Sequence, residues 1–132
     1  MDWTLTLFVA LGGAVGSVSR YALTVAIQSR QLSPFPTATF LINVTGSLLL
    51  GFLARYLAES MASAEVRLLL MTGFCGGYTT FSTYSYETAR LIEDGDYRRA
   101  VLYATLSVVL SLAGTFGGFA LARMALAARR LA

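Results

Sequence analysis

The chain has 132 residues, of which 56% are hydrophobic and only 13% are charged. This composition is typical of a membrane protein and leaves no room for a soluble domain of useful size. The net charge of +3 does not suggest nucleic-acid binding here, because the arginines flank apolar segments where they meet lipid headgroups. One cysteine and no histidine exclude an internal disulfide, a thiolate or imidazole metal site, and catalysis by histidine.

Four apolar segments are long enough to cross a bilayer core, which needs roughly 20 helical residues for its thickness of about 30 Å. They are predicted at residues 5–27, 40–54 with a lead-in at 36–39, 68–92 and 100–122. Asp2 stands where a signal peptide would carry a basic residue, so the first segment is predicted to be a true span. The fold class predicted is therefore an all-α membrane protein, with a single four-helix transmembrane domain over residues 1–132.

The first span carries Gly12 and Gly16, a GxxxG pair that predicts close packing against another helix. The pairs Gly73 and Gly77, and Gly114 and Gly118, predict the same for the third and fourth spans. Arg20 lies one turn after Gly16. It is interpreted either as a functional charge or as an arginine that snorkels to the headgroups.

The second span contains Thr39, Asn43 and Ser47 at a spacing of four residues, which places them on one helix face. A polar group left unpaired in lipid costs several kcal/mol, so this face is predicted to meet another helix or a water-filled path. Asn43 is the most informative of the three, because its amide has two donors and two acceptors to satisfy. Serine and threonine hydroxyls also have the alternative of bonding back to their own helix.

The third span contains the stretch GFCGGYTTFSTYSYE, in which eight of the nine residues from 78 to 86 carry a hydroxyl group. The adjacent glycines Gly76 and Gly77 predict a break in this helix, since glycine is a poor helix former. Carbonyl groups freed at such a break suit a hard cation such as Na⁺, while hydroxyls, amides and aromatic ring edges suit a small anion. The alternative is a glycine kink held by packing.

The fourth span carries Tyr103, Ser107, Ser111 and Thr115, which recur every four residues and form one hydroxyl stripe. Four spans place the loops on two sides of the membrane, with five arginines on one side and four on the other. They are Arg55, Arg67, Arg123, Arg129 and Arg130 against Arg30, Arg90, Arg98 and Arg99. This balance predicts insertion in both orientations as an antiparallel pair, unless one arginine pair decides the orientation. A homodimer is expected in either case.

The segment GFCGGYTTFSTYS, together with FLINVTGS in the second span, resembles the bacterial fluoride channels of the CrcB or Fluc family. The resemblance covers the whole chain and implies an antiparallel, dual-topology homodimer with two pores and a break in the third helix. It also implies a structural Na⁺ held by the backbone carbonyls of Gly76 and Thr79. Arg20 is the candidate charge at the entrance of the anion path, with snorkelling to the headgroups as the alternative.

The resemblance further implies that fluoride passes the ring edges at Phe81 and Tyr84 and the amide of Asn43. The polar track beside the rings matches Thr80, Ser82 and Thr83 loosely, and Tyr103, Ser107 and Ser111 closely. Tyr84 departs from the family pattern, because a phenylalanine is expected at this position.

The function implied is passive export of cytoplasmic fluoride across the bacterial inner membrane, which gives fluoride resistance without any enzymatic activity. One alternative is a small dual-topology multidrug exporter, which requires a membrane-embedded carboxylate; Glu87 lies toward the end of the third span. The other alternative is a structural membrane subunit that transports nothing.

Overall fold

The computed structural model describes residues 2–30 and 34–131 and is helical through almost all of them. The long helices are α1 (Trp3–Gln28), α2 (Thr37–Glu59) and α6 (Tyr97–Leu131). Between α2 and α6 lie the short α3 (Ala64–Arg67), a π-helical segment (Leu68–Cys75), the short α4 (Gly76–Tyr78) and α5 (Phe81–Glu93). The prediction of an all-α fold is confirmed in the described residues, which contain no strand.

Three of the predicted spans are single helices that are long and apolar enough to cross a membrane, namely α1, α2 and α6 up to Arg130. Predicted segment 68–92 is also helical, but it is divided among the π-helical segment, α4 and α5. Asp2 caps the first helix, since its side chain accepts hydrogen bonds from the backbone N–H groups of Thr4 and Leu5. Asp2, whose charge argues against a signal peptide, is therefore the N-cap of α1.

Glycines allow α1 to pack directly against the backbone of the π-helical segment and α4. A Cβ atom on Gly12 would collide with the carbonyl oxygen of Leu69, and one on Gly16 would collide with that of Phe74. From the opposite side, a Cβ on Gly77 would stand within 3.0 Å of the Cα of Gly13. The predicted packing role of these GxxxG pairs is therefore confirmed.

The contact between α2 and α6 follows the same principle. Gly51 faces the carbonyl of Thr115, and Gly118 faces that of Leu48, each too closely for a methyl group. Such small residues are needed where membrane helices approach closely, because backbone contact replaces the hydrophobic driving force that is absent in lipid. The outer face of α1, in contrast, is exposed and apolar, with Leu7, Leu11 and Val18 on the surface.

Two adjacent glycines of α6 provide a test of this packing. We expect Gly118→Ala to lower the free energy of unfolding by about 1–3 kcal/mol, the usual effect of overpacking. Gly117→Ala is the matched control, because a Cβ at Gly117 meets no atom within 4 Å and alanine favours the helix. Thermal unfolding in detergent measures both variants. Equal destabilisation by the two substitutions would show that the α2–α6 contact is not the cause.

Candidate functional site

The helical path is interrupted between α4 and α5 by two extended residues. Thr79 has φ −79° and ψ 159°, and Thr80 has φ −152° and ψ 113°. Thr79 is bonded to the π-helical segment, since both its N–H and its hydroxyl donate to the carbonyl of Cys75, at 2.9 and 3.0 Å. Thr80 caps α5, because its hydroxyl oxygen accepts from the N–H of Thr83 at 3.2 Å.

Asn43 of α2 binds this interruption through both ends of its side-chain amide. Its Nδ2 donates to the carbonyl of Thr80 at 3.0 Å, and its Oδ1 accepts from the N–H of Thr80 at 2.8 Å. This pairing satisfies the two backbone groups that an extended residue leaves without helical partners. It leaves the amide one further N–H donor and one further acceptor position.

A cavity of about 250 Å³ lies beside the interruption, and most of the predicted fluoride-pathway residues line it. Those that it brings together are Asn43, Thr80, Phe81, Tyr84, Ser107 and Ser111, joined by Ser47, Leu50, Thr79 and Val108. None of these lining residues carries a formal charge. The wall is therefore a mixture of hydroxyls, one amide, aromatic rings and aliphatic side chains.

Ser107 is a lining residue of the cavity whose hydroxyl has no protein partner. Its residue is only 5% exposed, and within the described part of the chain its Oγ is the buried side-chain oxygen that has no hydrogen bond. Buried hydroxyls normally have a partner, so Ser107 is an exception among the described residues.

Two aromatic rings form another part of the wall. The rings of Phe81 and Tyr84 lie 5.4 Å apart between centroids and are tilted by 42°. Phe81 is 77% exposed in the single chain, so its ring stands at the open side of the cavity. The hydroxyl of Tyr84 donates to the carbonyl of Ala104 on α6 at 3.3 Å.

The other three predicted pathway residues do not line the cavity. The hydroxyls of Ser82 and Thr83 lie 3.2 and 3.0 Å from that of Thr80, so they form a small hydroxyl cluster at the start of α5. Tyr103 is completely buried, and its hydroxyl donates to Oε2 of Glu87 at 2.6 Å.

Glu87 lies beside the site, although the sequence offered it only as a carboxylate for the exporter alternative. Its other oxygen, Oε1, accepts from the hydroxyl of Thr39 at 2.9 Å, so the carboxylate links α2, α5 and α6. A signal was present in the sequence, because Thr39 and Tyr103 begin the two predicted polar rows. The carboxylate that joins them was not recognisable from spacing alone.

The predicted sodium ligands lie at the interruption. In a continuous helix the N–H of Thr80 would bond to the carbonyl of Gly76, but here it donates to Asn43. Likewise the N–H of Thr83, which would bond to the carbonyl of Thr79, donates to the Thr80 hydroxyl. Both carbonyls have thus lost their helical donors, and a Cβ at Gly76 would meet nothing within 4 Å. Their chemistry suits a hard cation.

Arg20 lies on α1, half-buried, and does not line the cavity. Its proposed place near an entrance therefore stays a prediction.

Comparisons with known proteins agree with the geometry. The family described as CrcB-like protein, Camphor Resistance (CrcB), matches residues 7–119. A protein of Nitrobacter winogradskyi is 45% identical over 94% of this chain and 99% of its own length. Similar proteins of Rhizobium meliloti and Chlorobaculum tepidum are 45% and 46% identical over 89% of this chain and 94% of theirs. All three are named "Fluoride-specific ion channel FluC".

The role of Asn43 in holding the interruption is open to direct measurement. We expect Asn43→Ala to reduce the free energy of unfolding by about 1–3 kcal/mol, because the N–H and carbonyl of Thr80 lose their partners. The control is Thr88→Val, which removes a hydroxyl that bonds back within α5 to the carbonyl of Tyr84. Chemical or thermal unfolding in detergent reports the difference. An Asn43→Ala protein as stable as the control would contradict this assignment.

Proposed function

Because the chain belongs to the CrcB-like family, we propose that it is a fluoride-selective ion channel and that fluoride leaves the cytoplasm through it passively. The relatives named as fluoride-specific channels support this function over nearly the full length of the chain. The observation that carries the proposal is the cavity beside the interruption, with its uncharged donors and aromatic rings. Fluoride export down its electrochemical gradient gives the cell resistance to the ion.

The chemistry of the cavity fits a small, strongly hydrated anion. A passive pore must replace the hydration shell of the ion with donors and still release it, so several weak donors serve better than one fixed cation. The second N–H of Asn43, the hydroxyl of Ser111 and the positive edges of the two rings are such donors. An arginine in the wall would bind the anion too tightly for passage.

The active assembly in this proposal is an antiparallel, dual-topology homodimer. Four short spans enclose little of a path, and the ring of Phe81 is largely exposed in the single chain. A second copy would cover this ring and complete the wall of the cavity. The nearly equal number of arginines on the two sides supports insertion in both orientations.

A structural Na⁺ belongs to the same proposal, with the carbonyls of Gly76 and Thr79 as its ligands. Both carbonyls lack the helical donors that they would have in a continuous helix, which supports a cation at this place. The ion would supply a positive potential near the anion path and fix the backbone at the interruption. It takes no part in any covalent chemistry.

Fluoride transport is tested with purified protein in liposomes, with a fluoride electrode as the detector and chloride as the comparison anion. We expect rapid fluoride loss and little chloride loss. Phe81→Ile should reduce the fluoride rate roughly two- to tenfold, because an aromatic contact is worth about 0.5–1.5 kcal/mol.

The matched control for this ring is Phe116→Ile, since Phe116 is exposed on α6 and does not line the cavity. Absence of fluoride loss from folded wild-type protein would overturn the proposed function. Proton-coupled uptake of cationic drugs would then be measured to test the exporter alternative. The effect of the same substitutions on assembly would test the structural alternative.

Dependence on sodium tests the cation site separately. Complete exchange of Na⁺ for Li⁺ or K⁺ during purification and assay should weaken the dimer or slow fluoride efflux, because these ions differ from Na⁺ in radius and hydration. Dimer content by size-exclusion chromatography and efflux rate are measured on the same sample. Identical behaviour in the three salts would rule out a selective sodium site.

A further inference from the structure

Tyr84 is the proposed pathway residue at which the resemblance leads us to expect a phenylalanine, and the structure shows what its hydroxyl contacts. The hydroxyl donates to the carbonyl of Ala104 at 3.3 Å. That acceptor belongs to the interior of the long helix α6, so its position is fixed by the regular hydrogen bonding of the helix. The contact joins α5 to α6 at the wall of the cavity.

The ring of Tyr84 contacts two further rings in addition to the hydrogen bond at its hydroxyl. Its centroid lies 5.4 Å from that of Phe81 and also 5.4 Å from that of Tyr103, with tilts of 42° and 51°. Tyr103 is completely buried and forms a small core with Leu91 and Ala100, against which Tyr84 packs. The ring therefore lies between the exposed ring of Phe81 and a fixed wall.

From these contacts we infer that the Tyr84 hydroxyl is a latch, which restrains the second ring of the path through its hydrogen bond to Ala104 and thereby slows fluoride passage. The inference rests on the proposed function. A ring without a hydroxyl at this position needs only to slide against neighbouring rings in order to turn its edge toward a passing ion. Tyr84 must in addition break a hydrogen bond.

The hydrogen bond of Tyr84 lies at the wall of the proposed path. Tyr84 lines the cavity, and so does Ser107, one turn after Ala104 on α6. An ion in the cavity therefore lies beside the ring that this hydrogen bond restrains, and the freedom of the ring to move bears on the rate at which the ion passes.

The deciding variant is Tyr84→Phe, which removes the hydroxyl and keeps the ring. We expect fluoride efflux from liposomes to rise about fivefold, a factor that converts to about 1 kcal/mol and is typical of one neutral hydrogen bond. The fluoride-to-chloride ratio should stay unchanged, since the ring edges remain. The control is Tyr97→Phe, which removes an exposed hydroxyl at the start of α6 and should leave the rate as it is.

The outcomes separate the latch from the function on which it rests. An equal or lower fluoride rate in Tyr84→Phe would overturn the latch, and a lower rate would show instead that the hydroxyl donates to the ion. A parallel rise of fluoride and chloride rates would also overturn it, because general loosening of the helices produces a leak. No fluoride efflux from either protein would overturn the proposed function and the latch together.

Discussion

The pairing of the Asn43 amide with the backbone of Thr80 is the interaction on which the site depends. An extended pair of residues inside a membrane domain leaves an N–H and a carbonyl without helical partners, which lipid does not satisfy. Asn43 binds both groups of Thr80, and this directs the N–H away from the carbonyl of Gly76. The freed carbonyl of Gly76 is therefore a consequence of one side chain on a neighbouring helix, while the hydroxyl of Thr80 itself frees the carbonyl of Thr79.

Glycine contacts fix the positions of the helices, and these positions bring the amide of Asn43 to the backbone of Thr80. Backbone contact at Gly12 and Gly16 holds α1 against the π-helical segment, and contact at Gly118 holds α6 against α2. The carboxylate of Glu87 then joins α2, α5 and α6 through Thr39 and Tyr103. Close packing and a buried polar network together place hydroxyls from three separate segments around one small space.

Much of this arrangement was predictable from the sequence, because its signals are local. Hydropathy located the spans, and the four-residue spacing found the polar faces that include Asn43 and Ser107. The partners of these groups were not predictable, since Thr39, Glu87 and Tyr103 meet only after the helices have packed. For the same reason spacing did not separate Ser107, which lines the cavity, from Tyr103, which lies buried beside it.

The π-helical segment sets the angle at which the chain reaches the interruption. Its hydrogen bonds connect each residue to the fifth one along, so Leu68–Cys75 turns the chain by a smaller angle per residue than the roughly 100° of an α-helix. The direction in which Thr79 and Thr80 face α2 therefore depends on how many residues lie in this wider turn. Helical phase, set before the interruption begins, decides whether the amide of Asn43 finds a backbone to bind.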